Sequence, residues 1–135
     1  MRQRLAVFAC IVTGVAASAW GQGTALMAPV AEKPAFASTI GQTADIEMVK
    51  VLLERMSVPH KADAQAKAGS LAASGARTLV LVLGGSTKGL GAAGISPEAE
   101  LDRAKALIAE AKKLGMTIIG LHVGGEARRG QLSDR

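Results

Sequence analysis

The residues best suited to chemistry lie in one glycine-rich stretch, LVLVLGGSTKGLGAAGIS, at residues 79–96. An apolar run leads into Ser86, Thr87 and Lys88, and the spacing G-x-G-x-x-G follows from Gly89 to Gly94. Glycine lets backbone N–H groups face a ligand without an intervening Cβ, and the hydroxyl and ammonium groups beside it suit an anion. The stretch therefore raises the question of a nucleotide site.

A nucleotide is not the interpretation that the spacing favours. A dinucleotide fingerprint begins directly after its strand, and its last glycine lies inside the following helix. Here residues 84–88 precede the motif, and Ser96-Pro97 starts a helix only after the motif has ended. A P-loop requires Gly-Lys-Ser/Thr, whereas Lys88 precedes Gly89. We interpret the glycines as turn formers and predict no cofactor.

Two further glycine turns, Gly41-Gln42-Thr43 and GGEARRG at residues 124–130, also follow apolar runs. The carboxyl ends of parallel strands share one edge of a sheet, so we expect all three turns to meet there. The predicted ligand-binding residues are Gly41, Gln42, Thr43, Gly84, Gly85, Ser86, Thr87, Lys88, Gly124, Gly125, Glu126, Arg128 and Arg129.

The cations of this set, Lys88, Arg128 and Arg129, predict a small anionic ligand, because paired arginines form a good fork for a carboxylate or phosphate. An equally good alternative for the arginines is an ion-pair cluster with Glu126 and Asp134 that orders the turn.

A catalytic interpretation centres on His122, which lies near the end of the last apolar run. An imidazole titrates near neutral pH, so His122 with Ser86 or Glu126 would suit a hydrolase-like enzyme. The alternative is a strand histidine bonded to a backbone carbonyl, and no nucleophile elbow of the G-x-S-x-G kind is present. With two histidines and the single Cys10, we predict no metal site.

Composition bounds the remaining possibilities. The chain has 135 residues, 49% of them hydrophobic, which is the size of one domain. Arg2 and Arg4 precede an apolar run from Leu5 to Val15, which predicts a signal peptide over residues 1–21 and an exported, periplasmic or extracellular protein. Membrane contact is expected only through that peptide before cleavage. With 2% aromatic residues and no tyrosine, nucleic acid is not an expected partner.

Hydrophobic periodicity places the elements that must position these turns. Residues 22–34 form a flexible linker, and the domain occupies residues 35–135. Strands are predicted over 35–41, 58–62, 77–83 and 116–123, and helices over 43–56, 63–74 and 97–114. Thr43 and Ser96 are the expected caps of the first and last helices. The inward face of the last helix is predicted to carry Leu101, Ala104, Ile108 and Ala111.

The predicted strands are apolar at successive positions, without alternating polar residues, and helices separate them. This pattern predicts an α/β fold, a Rossmann-like or flavodoxin-like three-layer domain with a mostly parallel sheet of about four strands. Strand one lies centrally, with strand two outside it and strands three and four on its other side. Strand two carries Pro59 and is expected at the edge.

Three segments, GQTADIEMVKVLLER, LVLVLGGSTKGLGAAGIS and HVGGEARRGQLSDR, resemble in order and spacing a family of small exported bacterial proteins known as the domain of unknown function DUF6305. The resemblance covers about residues 36–135 and implies a signal peptide and a Rossmann-like domain, but no activity. It also implies a further helix and strand after the LSDR segment. We therefore expect an incomplete C-terminus, or a homodimer that covers the bare sheet face.

Three functional classes follow from these features. The first is an extracytoplasmic module that binds a small molecule or anion at the glycine turns. The second is an enzyme that uses His122, and the third is a structural or interaction domain in which the glycines only form turns.

Overall fold

A computed structural model of the chain describes residues 28–134, apart from the side chain of Arg128. Its elements follow in the order β1 (Ala35–Ile40), α1 (Ile46–Arg55), β2 (His60–Ala62), α2 (Ala68–Ala72), β3 (Thr78–Leu83), α3 (Thr87–Ala93), α4 (Pro97–Lys113) and β4 (Thr117–Leu121). A short 3-10 turn, Glu126–Arg128, follows β4. The predicted signal peptide lies outside the described residues.

The four strands form one parallel sheet in the order β2-β1-β3-β4, which confirms the predicted α/β fold and strand order. Strand β2, which follows Pro59, lies at the edge as expected. At the centre, Ile40 of β1 pairs with Leu83 of β3, and the amide of Gly84 donates to the Ile40 carbonyl at 2.9 Å. The turns that follow β1 and β3 therefore start side by side.

Helices cover both faces of the sheet, which is why β1 and β3 are apolar or small at nearly every position. One face packs against α2 and α4, in a core formed by Phe36, Ala66, Leu71, Leu79, Leu81, Leu107, Ala111 and Met116. On the other face, α1 is the helix that the described part of the chain provides, in a core formed by Ala35, Ala37, Ile46, Val49, Val80 and Val82. The connections after β1 and β3 thus leave the sheet on opposite faces.

Helix α4 begins and ends as predicted. Ser96 caps it, because its Oγ accepts a hydrogen bond from the Ala99 amide at 3.1 Å, and Pro97 occupies the first turn. Lys112 and Lys113 lie in its last turn, where the helix dipole favours cations. Gly115 adopts a φ of +67° just after the helix and allows the chain to turn into β4.

The structure corrects several predicted elements. Helix α2 is Ala68–Ala72 and not 63–74, and β2 begins at His60, after Pro59. Helix α1 has Asp45 as its N-cap, whereas Thr43 lies outside the helix and accepts a hydrogen bond from the Asp45 amide at 3.3 Å. The segment between residues 84 and 94, which was predicted as a loop, contains helix α3. Ser86 caps this helix, since its Oγ accepts a hydrogen bond from the Gly89 amide at 2.9 Å. The sequence of α3, TKGLGAA, contains one large apolar residue, Leu90, so it showed no hydrophobic period.

No helix within residues 28–134 combines the length and the apolar character needed to cross a bilayer.

Candidate functional site

The first two glycine turns contact each other at the carboxyl edge of the sheet. Gly41 has a φ of +90°, and a Cβ on it would lie 2.5 Å from the carbonyl oxygen of Gly84. The amide of Ser86 donates to the Gly41 carbonyl at 2.8 Å. Glycine is required at Gly41 both by this φ and by the close approach of the two backbones.

The third turn reaches the same edge through His122 and the segment that follows β4. The imidazole of His122 lies 3.0 Å from the carbonyl oxygen of Leu83 through Nδ1 and 3.0 Å from that of Gly125 through Nε2. Farther along, Ser133 Oγ accepts a hydrogen bond from the Gly85 amide at 2.9 Å, and Leu132 packs against Gly85. The expected convergence of the three turns is confirmed.

Two of the three glycines in the G-x-G-x-x-G spacing have structural roles. A Cβ on Gly89 would collide with the carbonyl oxygen of Gln42, so this glycine lets α3 pack on the turn after β1. Gly91 has open space around its Cα, and Gly94 ends α3 with a φ of +66°. Packing and helix termination therefore account for Gly89 and Gly94 without a nucleotide.

A cavity of about 320 Å³, which we call the apolar cavity, lies beside these turns under α4. Its walls are mostly apolar and also include the turn glycines and three polar residues. The lining residues are Ile40, Gly41, Leu83, Gly84, Gly85, Leu90, Pro97, Glu100, Leu101, Ala104, Lys105, Ile108, Leu132 and Ser133. Three predicted site residues, Gly41, Gly84 and Gly85, are brought together here.

A second cavity of about 300 Å³, which we call the polar cavity, opens at the start of α1. Its lining residues are Thr43, Ala44, Asp45, Gly84, Gly85, Ser86 and His122. Gly84 and Gly85 therefore separate two cavities, one apolar and one polar, at the same edge of the sheet. Lys88, Glu126 and Arg129 line neither of them.

The predicted cations are placed differently from the glycines. Lys88 is exposed on α3. The guanidinium of Arg129 pairs with the carboxylate of Asp134, at 3.2 Å from both Nε and Nη2 to Oδ1. For Arg129 the structure thus contains the ion pair that was the alternative to ligand contact. The side chain of Arg128 lies outside the described part of the chain.

Four amides of the glycine turns already have partners within the chain. The Gly41 amide donates to Glu100 Oε1 at 2.8 Å, and those of Gly84, Gly85 and Ser86 donate to Ile40, Ser133 and Gly41. An anion would have to displace these bonds in order to use the same amides.

The sequence interpretation missed Glu100 and Arg103, which form a buried ion pair on α4. Glu100 is 2% exposed, and its Oε1 lies 2.8 Å from Arg103 Nη2. Arg103 Nε also donates to Glu100 Oε2 at 2.8 Å, and its Nη1 donates to the Ala66 carbonyl at 2.8 Å. The pair therefore ties α4 to the sheet edge and to the start of α2.

Glu100 also holds the turn after β1. Gln42 adopts a φ of +57°, which is uncommon for a residue with a side chain, and its Nε2 donates to both Glu100 oxygens at 3.2 and 3.3 Å. Burial alone raises the pKa of Glu100, but hydrogen bonds from Arg103 and the Gly41 amide, with the charge of Arg103, outweigh it. The net pKa is lowered, so Glu100 is held as a carboxylate.

A signal for this pair was present in the helix period. Glu100, Ala104, Leu107 and Ala111 are the buried residues of α4, at the spacing of one helix face. The predicted inward residues Leu101 and Ile108 are instead half-buried, and they line the apolar cavity. An acidic residue in the first turn of a helix is common, and this hid the role of Glu100. Its spacing from Ala104 and Ala111, which places all three on one face of α4, was the signal that Glu100 points inward.

The surroundings of His122 bear on the catalytic interpretation. Hydrogen bonds to the carbonyls of Gly125 and Leu83 raise the pKa of His122. A ring that faces two carbonyl acceptors needs an N–H on each nitrogen, and an imidazolium provides both. Ser86 Oγ, the nucleophile of that interpretation, accepts the α3 capping bond. In this geometry His122 has no nitrogen lone pair directed at Ser86.

Among the described residues, no group of three or more histidine, aspartate and glutamate side chains is arranged to hold a metal ion.

A family model described as "Domain of unknown function (DUF6305)" matches residues 32–135. Neither the curated proteins nor the solved structures include a significant match to the chain.

Proposed function

Because the chain belongs to the DUF6305 family, whose description names no activity, we propose a function from the geometry: an extracytoplasmic small-molecule-binding module. The ligand binds in the apolar cavity, between the glycine turns after β1 and β3 and the flank of α4. Binding is non-catalytic in this proposal.

The position and lining of the apolar cavity carry the proposal. Helices leave β1 and β3 on opposite faces of the sheet, and ligands of open α/β sheets bind outside the carboxyl ends of strands at such a point. The cavity lies at this point, and its volume of about 320 Å³ is at the lower end of the range for small-molecule sites. Apolar walls with a few polar groups at the rim are typical of such sites.

The amide contacts favour an apolar ligand over an anion held by the turns themselves. The amides of Gly41 and Gly85 donate to Glu100 and Ser133, so transfer of apolar surface from water provides the available driving force. The anion predicted at Lys88, Arg128 and Arg129 is a separate proposal, since Lys88 and Arg129 line neither cavity. Calorimetry with inorganic phosphate tests it.

Titration with octanol, a neutral apolar probe, tests the proposed function. Leu101 lines the cavity and is only half-buried, so Leu101→Glu places a charge in the cavity wall with little loss of folding free energy from the core. We expect the variant to weaken octanol binding by tenfold or more, because a carboxylate in an apolar wall must be desolvated when the ligand binds. The readout is calorimetry or chemical-shift titration.

Leu114→Glu is the matched control, since Leu114 is a 41% exposed leucine next to α4 that does not line the cavity. Its octanol affinity should equal that of the wild type. Absence of octanol binding to the wild type, or equal binding by Leu101→Glu, would overturn the proposal and favour the structural class.

The extracytoplasmic location rests on the Arg-flanked apolar run of residues 5–15. We expect a mature N-terminus near Trp20 or Gln22 in an exported fraction, which mass spectrometry measures. An intact Met1 in the cytoplasmic fraction would contradict it.

A further inference from the structure

Three of the residues that line the apolar cavity have polar side chains: Glu100, Lys105 and Ser133. A ligand with a polar end must match the hydrogen-bonding capacity that these groups still have after their bonds within the protein. The three groups differ in the donors and acceptors that they still have available, and this difference indicates the class of ligand.

Glu100 has little capacity left. Its Oε1 accepts from the Gly41 amide, Gln42 and Arg103, and its Oε2 accepts from Gln42 and Arg103. Arg103 also balances its charge at 2.8 Å. The buried carboxylate is therefore not a counter-ion for a cationic ligand.

Lys105 remains available at the mouth of the cavity. It lines the cavity one helical turn after Leu101, and a lysine in such a place commonly lays its aliphatic stem along apolar surface while its ammonium stays in water. The side chain is 77% exposed, and its partner Asp102, 80% exposed, is 3.7 Å away. Exposed ion pairs of this kind contribute little free energy, so a ligand can replace Asp102.

Ser133 contributes a second donor. Its Oγ accepts from the Gly85 amide at 2.9 Å, which leaves the hydroxyl proton free to be donated, since a hydroxyl both accepts and donates. The cavity therefore retains two side-chain donors, the Lys105 ammonium and the Ser133 hydroxyl, and one of them is positively charged; the second lone pair of Ser133 Oγ is its remaining acceptor.

From this we infer that the ligand of the apolar cavity is an aliphatic monocarboxylate, with its hydrocarbon part in the cavity and its carboxylate at the mouth against Lys105 and Ser133. The inference rests on the proposed function and adds the chemistry of the ligand's polar end. One carboxylate matches one ammonium and one hydroxyl, whereas a protonated amine would face Lys105 as a like charge.

Three probes of equal chain length separate the polar end from the apolar part: octanoate, octanol and octylamine, titrated into the full chain by calorimetry at neutral pH. We expect octanoate to bind about two- to fivefold more tightly than octanol, the effect of one exposed charge pair. Octylamine should bind most weakly. The octanoate advantage should shrink as salt rises, because mobile ions screen an exposed pair.

Lys105→Met keeps the stem and removes the charge, so octanoate should lose its advantage while octanol affinity stays unchanged. Asp102→Asn should tighten octanoate binding, because it removes the competing carboxylate. Lys113→Met, a change of a 76% exposed lysine that does not line the cavity, is the matched control and should leave both affinities as in the wild type.

The outcomes separate this inference from the proposed function. If octanoate and octanol bind equally, or Lys105→Met leaves the octanoate advantage intact, the carboxylate inference is wrong while the cavity remains a binding site. Tighter binding of octylamine than of octanoate also overturns it. If octanol does not bind to the wild type, the proposed function itself fails, whatever the two charged probes do.

Discussion

The glutamate that organises the candidate site is buried, charged and fully engaged. Glu100 joins the Gly41 amide, the strained Gln42 and Arg103, so one carboxylate positions the turn after β1 against α4. A buried ion pair is weak evidence for net stability, but removal of one partner leaves an uncompensated charge in the interior. Removal of Arg103 alone is therefore expected to be strongly destabilising.

We predict that Arg103→Met lowers the free energy of unfolding by about 3–5 kcal/mol, the usual cost of leaving one buried charge unpaired. The loss should be smaller at acidic pH, where Glu100 can take up a proton. Urea unfolding measures both effects. In the control, Arg77→Met removes an exposed pair with Glu32 and should cost less than about 1 kcal/mol. Equal losses in the two variants would contradict the structural role of Glu100.

The raised pKa of His122 predicts a pH dependence with a definite sign. A histidine whose pKa is raised on folding stabilises the fold fully below its unfolded value of about 6.5, and the contribution is lost as pH rises through the folded value. Above that value a neutral ring can donate to only one of the carbonyls of Gly125 and Leu83. Asp45 also favours the charged form, and Arg129 opposes it.

We therefore expect wild type to exceed His122→Leu in unfolding free energy below pH about 6.5 and the difference to decline at higher pH. Urea unfolding across this range gives the difference, and NMR titration of the ring protons gives the pKa directly. A titration midpoint below the ordinary value would contradict the double carbonyl contact. It would also restore His122 as a candidate base.

At the scale of the elements, the site depends on turns that pack backbone against backbone. Gly41 lies against Gly84, and Gly89 lets α3 approach Gln42. Neither contact leaves room for a Cβ. Because both positions are glycine, the turn after β1 can pack between the turn after β3 and the start of α3. This close packing brings Ile40 and Leu83 together as the inner wall of the apolar cavity.

Gly41→Ala should destabilise the protein by at least about 1–3 kcal/mol, because a side chain at a φ of +90° is strained and its Cβ meets the Gly84 carbonyl. Thermal and urea unfolding measure the loss. Gly69→Ala is the matched control: Gly69 lies in α2 with open space around it, so alanine should leave stability unchanged or raise it by up to about 1 kcal/mol. Equal tolerance at both positions would contradict the packing of the two turns.

For the whole molecule, the two faces of the sheet are covered unequally. Helices α2 and α4 pack on one face, whereas α1 is the described helix on the other. The outer side of α1 carries Met48, Val51 and Leu52, which are 46–55% exposed, and Met56 just after it is 73% exposed. Large apolar side chains at helical spacing on a surface mark a place where chains associate.

We predict that the protein self-associates through this side of α1, which is a different surface from the bare sheet face on which the sequence analysis based its expected homodimer. The double change Met48→Glu and Leu52→Lys should yield a monomer with unchanged helical content, since both residues are exposed. Light scattering across a concentration series is the measurement. Leu114→Lys, at the end of α4, should leave association unchanged. A wild type that is monomeric throughout would contradict the prediction.

Much of the fold could be predicted from local pattern because the deciding forces are local. The apolar runs of β1, β3 and β4 and the 3.6-residue period of α1 and α4 determine the element types, and right-handed connections then restrict the strand order to few choices. Glycine placement after three parallel strands sufficed to predict that the turns meet. Helix α3 was missed, because its capping serine and small residues carry no period.

Tertiary structure alone decided what the turns do. Whether the Gly41 and Gly85 amides face a ligand or a protein group depends on Glu100 and Ser133, which are far away in the sequence. The same is true of His122, whose pKa is raised by carbonyls on two different segments. Residue types and spacing determined the scaffold of this protein. The partners of its polar groups come from long-range packing, which a sequence pattern does not encode locally.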